Sequence, residues 1–100
     1  MKRRRIVFSP RAKNDLLSIF DWIAPRAGSD VAEAYVTRLT AYCESFDLAG
    51  ERGTPRDDLR PDLRIVGFER RVTIAFSVEE SRVKILRLFY GGRDWEDELV

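Results

Sequence analysis

Residues 71–78, Arg-Val-Thr-Ile-Ala-Phe-Ser-Val, constrain the fold of this chain more than any other stretch. Val72, Ile74, Phe76 and Val78 alternate with Arg71, Thr73, Ala75 and Ser77. Successive strand residues point to opposite sides of a sheet, so this period of two describes a strand with one apolar face that something must cover. The runs Leu63–Phe68 and Arg82–Tyr90 read as its partner strands, with Glu79-Glu80-Ser81 as the turn into the last of them. Residues 3–8 add a short strand built on Ile6-Val7-Phe8.

The first half of the chain supplies the cover, and there the period becomes helical. Ser9-Pro10 reads as a helix start, because serine caps free N–H groups and proline at the first helical position gives up no hydrogen bond. Ala12, Leu16, Ile19, Phe20 and Ile23 fall on one helical face, and Ala24-Pro25-Arg26-Ala27-Gly28 is expected to stop that helix. Ser29-Asp30 opens a second helix, with Asp30 and Glu33 at capping-box spacing. Its apolar stripe runs through Val31, Tyr35, Leu39, Tyr42, Cys43 and Phe46, which makes Cys43 a core residue rather than a nucleophile. Two such helices, joined by about four or five residues, form an antiparallel hairpin. The polar stretch 49–62, with its two prolines, reads as a structured loop or a short strand with flanking turns. The order β-α-α-β-β-β predicts one α+β domain over residues 1–100. Its antiparallel sheet has one face under the helical hairpin and the other partly open.

Composition narrows the chemistry. The chain of 100 residues has room for one core, and its 44% apolar and 35% charged residues describe a globular protein. No apolar run approaches the about 20 residues that cross a bilayer. The basic start is followed only by Ile6-Val7-Phe8, too short for a signal core, so a cytoplasmic protein with no membrane partner is expected. One cysteine cannot form an internal disulfide, and the absence of histidine excludes a Cys/His zinc site and the commonest acid–base group. No metal and no cofactor are expected. Asp57, Asp58 and Asp62 stand among Arg56 and Arg60 and read as an ion-pair lattice. Of the 18 cations 15 are arginine, whose forked guanidinium suits carboxylates and phosphates, although codon bias would give the same count. The net charge of +1 does not describe a sequence-specific DNA binder.

One metal-free chemistry stays open, RNA cleavage by attack of the 2′-hydroxyl. It needs a base, cations around the phosphate and an acid for the leaving oxygen. Arg64, Arg71, Arg87 and Arg93 are the candidate cations, and Tyr90 or Glu69 the proton carrier. Beyond the last strand, Gly91-Gly92 lets the chain turn off the sheet. Arg93-Asp94-Trp95 then either projects as a contact patch or packs back on the core. If Val83, Ile85 and Phe89 face the helices, Arg87 interrupts that face and must be paired or reach water.

The segment FSPRAKNDLLSIFDWIA (8–24), followed by LRPDLRIVGFERRVTIAFSVEESRVKILRLFYGGRDWEDEL (59–99), resembles the ParE/RelE superfamily of bacterial toxins. These are the toxin halves of type II toxin–antitoxin modules, and the resemblance spans nearly the whole chain. It implies the same β-α-α-β-β-β fold and divides on mechanism. RelE-like members cut messenger RNA on the ribosome with basic residues on the central strands and a C-terminal arginine and tyrosine. ParE-like members poison DNA gyrase and lack that set. Val66 and Thr73 stand where the nucleases carry a lysine and an arginine, while Arg64 and Arg93 keep two cationic positions. The ending GGRDWE is more similar to ParE.

The resemblance therefore implies a non-enzymatic gyrase poison with Arg87, Tyr90, Arg93 and Trp95 as target contacts. The alternatives are a ribosome-dependent endoribonuclease using Arg64, Arg71, Arg87, Tyr90 and Arg93, or a non-toxic antitoxin-binding module. All three imply a hetero-oligomer with a cognate ParD-like antitoxin bearing an acidic, partly disordered C-terminal segment. Trp22, Tyr35, Arg52 and Arg56 are its candidate contacts.

Overall fold

The computed structural model describes residues 3–48, 51–91 and Glu96. The chain runs β1 (Arg5–Phe8), α1 (Pro10–Ala27), α2 (Ser29–Glu44), a 3₁₀ turn (Ser45–Asp47), β2 (Thr54–Pro55), β3 (Leu63–Phe68), β4 (Val72–Val78) and β5 (Arg82–Tyr90). The sheet order is β1-β5-β4-β3-β2. Strands β2 to β5 pair antiparallel, whereas β1 runs parallel to β5, so the sheet is mixed. No helix is long and apolar enough to cross a membrane among the described residues.

Ser9 begins α1 as the sequence suggests, its Oγ accepting from the Ala12 N–H at 3.0 Å with Pro10 in the first turn. The same hydroxyl donates to the Leu86 carbonyl at 2.8 Å, which pins the helix start to β5. The helix runs through Pro25 to Ala27 instead of stopping there. Gly28 alone links the two helices, a sharper joint than the expected linker, and its φ of 103° explains why glycine stands there. The capping box does not form. Gly28 is the N-cap of α2, and Asp30 lies inside the first turn, where its charge opposes the positive helix end.

The helices cover the face of β4 that the alternation marks: Ile74 and Phe76 are buried against Ile19, Ile23, Leu39 and Phe46. Cys43 lies in this core, and burial pushes its thiol up to about 12, which leaves it a packing group. Val31, the first residue of the α2 stripe, is instead 52% exposed.

One irregularity changes which side of β5 meets the helices. Ala75 stands opposite Arg87 but Phe76 opposite Ile85, so Leu86 is an extra residue in the strand. The helix face becomes Val83, Ile85, Leu88 and Tyr90. Phe89, expected on it, joins Leu63, Ala75 and Leu86 on the far face, where Leu59 of the 56–62 loop packs over them.

The polar stretch before β3 contributes a two-residue strand whose entry depends on Gly53. Its φ is 79°, and an added Cβ would collide with the Ile65 carbonyl oxygen across the β2–β3 pair. Gly53→Ala is therefore expected to lower stability by about 2–3 kcal/mol, read as a lower urea midpoint at unchanged slope. A change within 0.5 kcal/mol in either direction, about the scatter of a neutral surface substitution, would contradict that close approach.

Candidate binding groove

The last turns of α1, the first turns of α2, the β3–β4 turn and the end of β5 enclose a two-lobed groove. The lobes measure about 590 Å³ and about 320 Å³ and share Trp22, Arg71 and Tyr90. Ile19 and Leu88 lie in the larger lobe with Arg70 at its side; Val31, Tyr35 and Arg26 line the smaller.

Aromatic contacts build the floor. Trp22 packs against Tyr90 with ring centroids 5.1 Å apart, and Tyr90 meets Tyr35 edge-on at 6.0 Å. Tyr35 in turn stands edge-on to Phe68 at 5.8 Å. Trp22 remains 48% exposed, so its ring is a wall of the groove rather than core. The Arg26 guanidinium lies 4.0 Å over that ring and donates to the Trp22 carbonyl at 2.6 Å.

The β3–β4 turn brings charge to this floor in an unfavourable backbone conformation. Glu69 and Arg70 have φ of 50° and 59°, and the Arg71 N–H closes the turn on the Phe68 carbonyl at 3.0 Å. Two successive positive φ values are the geometry that Asn-Gly adopts most easily; here two long charged residues hold it. Arg38 of α2 fixes the turn by donating to both Glu69 oxygens at 3.0 and 3.1 Å, and these bonds hold the Glu69 carboxyl below its usual range. The pair is solvent-exposed, so it orients more than it stabilises. Arg70 and Arg71 make no ion pair among the described residues.

Tyr35 sits at the meeting point of these groups. It is 6% exposed, and its hydroxyl is buried without a hydrogen-bond partner. Burial first, then the Glu69 charge, pushes the phenol up to about 12, so it stays protonated as a donor.

Of the residues the sequence singles out, Trp22, Tyr35, Glu69, Arg71 and Tyr90 converge here. Arg52 and Arg56 line neither lobe. Arg52 stacks 4.6 Å over Phe46, and Arg56 binds Asp58 in a fork at 2.9 Å and Glu96 at 2.7 Å. Arg64 is spent on the loop before β2, donating to the carbonyls of Glu51, Arg52 and Gly53 at 2.7, 2.8 and 3.3 Å.

Arg87, proposed from sequence as a target contact or catalytic cation, is 7% exposed. It donates to Asp15 through Nε at 2.9 Å and Nη2 at 3.2 Å, and lies 4.6 Å from the Phe89 ring. It is an internal pair and presents no surface. Arg93 and Trp95 lie outside the described residues. Sequence reasoning missed Arg26, Arg70 and Asp15. For Asp15 a signal existed: a carboxylate on the apolar face of α1, matched by a lone arginine in an apolar strand.

These features define a small α+β domain in which a helical hairpin and a mixed sheet frame an aromatic groove bordered by guanidinium groups. The family described as "ParE toxin of type II toxin-antitoxin system, parDE" matches residues 6–95. The chain belongs to this ParE toxin family. Among solved structures, the chromosomal ParDE TA system from P. aeruginosa is similar with a TM-score of 0.77 at 21% identity, covering 89% of this chain and 97% of that chain. At that identity the likeness is one of fold. No curated protein sequence matches the chain.

Proposed function

We propose that this toxin acts by binding DNA gyrase, without cutting RNA, and that an antitoxin segment seated in the groove neutralises it. The carrying observation is the internal engagement of Arg64 and Arg87. A phosphate-gripping nuclease site needs its guanidinium groups turned outward, yet one of these holds loop carbonyls and the other Asp15. Glu69, the candidate proton carrier, is held as an anion by Arg38 and is a weak base.

An antitoxin with an acidic, extended segment suits the groove in charge and shape, and Trp22 and Tyr35 are the antitoxin contacts we retain. Tyr90, a gyrase contact together with Arg93 and Trp95, also packs against both retained antitoxin contacts in the groove. Occupation of the groove then blocks the target-facing aromatic directly.

The test is a supercoiling assay run beside a translation assay. The purified protein is expected to inhibit gyrase supercoiling at micromolar concentration and leave messenger RNA intact on programmed ribosomes. Cleaved messenger RNA with normal supercoiling would reverse the assignment.

A further inference from the structure

We infer that the smaller lobe is a carboxylate subsite, in which the Tyr35 hydroxyl and the Arg71 guanidinium together take one acidic side chain of a bound peptide while Trp22, Val31 and Tyr90 hold its apolar neighbour. This deepens the reading that an antitoxin occupies the groove and rests on it.

Three independent observations point to such a ligand. The first is the Tyr35 hydroxyl, a buried donor without a partner. An unsatisfied buried polar group costs about 1–3 kcal/mol, and a ligand oxygen would remove that cost on binding. The second is the turn that carries Arg71. Its backbone at Glu69 and Arg70 is held in the left-handed region although an Asn-Gly turn would relieve it, and strain of this kind collects where a surface is shaped for recognition. The third is charge. Among the described residues the one carboxylate lining this lobe, Glu69, is neutralised by Arg38, and Arg71 and Arg26 make no ion pair.

Chemistry selects an acidic peptide over a nucleic acid. The lobe offers one buried hydroxyl and two guanidinium groups, Arg26 and Arg71, which match a single acidic side chain and leave the repeated charges of a phosphate chain without partners. The exposed Trp22 and Val31, 48% and 52% accessible, offer apolar surface that a sugar-phosphate backbone would leave unused.

The probe is a capped hexapeptide, Glu-Leu-Glu-Glu-Leu-Glu, with its glutamine counterpart Gln-Leu-Gln-Gln-Leu-Gln, titrated into the isotope-labelled full chain. The acidic peptide is expected to shift the Trp22 indole N–H resonance, and the glutamine peptide to bind about tenfold more weakly. Arg71→Gln should weaken the acidic peptide about tenfold. Tyr35→Phe should weaken it about fivefold while leaving the melting temperature unchanged or higher, because the hydroxyl it removes has no partner to lose.

A Tyr35→Phe protein that melts lower and binds normally would make the hydroxyl structural and overturn the subsite. So would equal affinity for the two peptides, displacement of the acidic peptide by a thymidine oligonucleotide, or self-association that closes the groove at the concentrations used. Failure of the two readings is separable. If the antitoxin encoded beside this toxin binds Tyr35→Phe and Arg71→Gln as tightly as the unaltered protein, the subsite falls and the antitoxin reading stands. If it does not bind the unaltered protein, the antitoxin reading falls, and the subsite that rests on it falls with it, whatever the peptides do.

Discussion

Asp15→Ala should lower the unfolding free energy by about 3–5 kcal/mol, a large share of the about 5–15 kcal/mol that holds a domain folded. The reason is what the alanine leaves behind. The Arg87 and Asp15 side chains are only 8% and 11% exposed, so the substitution strands a guanidinium in the interior. Asp15 also accepts the Leu88 N–H at 2.8 Å. That contact exists because β1 pairs with β5 only from Arg82 to Ile85. Past Ile85 the edge of β5 faces the start of α1, where Ser9 and Asp15 take over from the strand. Asp15→Asn keeps an acceptor for Leu88 and should cost less than Asp15→Ala. The pair Asp15→Leu with Arg87→Met should recover part of the loss, since an apolar replacement of a buried ion pair is often neutral. Urea unfolding of all four proteins checks this. A cost of less than 1 kcal/mol for Asp15→Ala would mean that water reaches Arg87.

Phe46→Ala is the second large effect, about 3–5 kcal/mol. Phe46 is fully buried in the 3₁₀ turn after α2, with ring centroids 5.3 Å from Tyr42 and 4.8 Å from Phe76. It thus joins the end of the helical hairpin to the middle of the sheet. Arg52 lies 4.6 Å over its outer face, so the loop that Arg64 grips also leans on this ring. Phe46→Leu preserves most of the volume and should cost about 1 kcal/mol, which separates cavity formation from loss of the aromatic contacts. Equal costs for the two substitutions, measured by urea unfolding, would refute the cavity account.

The sequence was most legible where a single period runs unbroken. The alternation from Val72 to Val78 placed β4 and its buried face, and the Ser9-Pro10 pair placed the start of α1. Legibility failed where one residue breaks the count. Leu86 bulges, and every later β5 side chain exchanges faces, which sent Phe89 to the far side and Leu88 to the core. The ParE resemblance anticipated the family, yet the site was legible only in part. Trp22, Tyr35, Arg71 and Tyr90 come from four separate elements, α1, α2, the β3–β4 turn and β5, and meet through tertiary packing. Arg87 looked like a surface cation because its partner lies 72 residues earlier, at Asp15.

The sheet order sets β1 beside β5, the earliest and latest of the described strands. While β5 is still inside the ribosome, β1 has no neighbour to pair with, Ser9 has no Leu86 carbonyl and the groove has no Tyr90. The recognition surface therefore assembles only once synthesis has passed the final strand, through contacts far apart in sequence that form slowly. Whatever seizes the groove must meet a chain in which β5 has already docked.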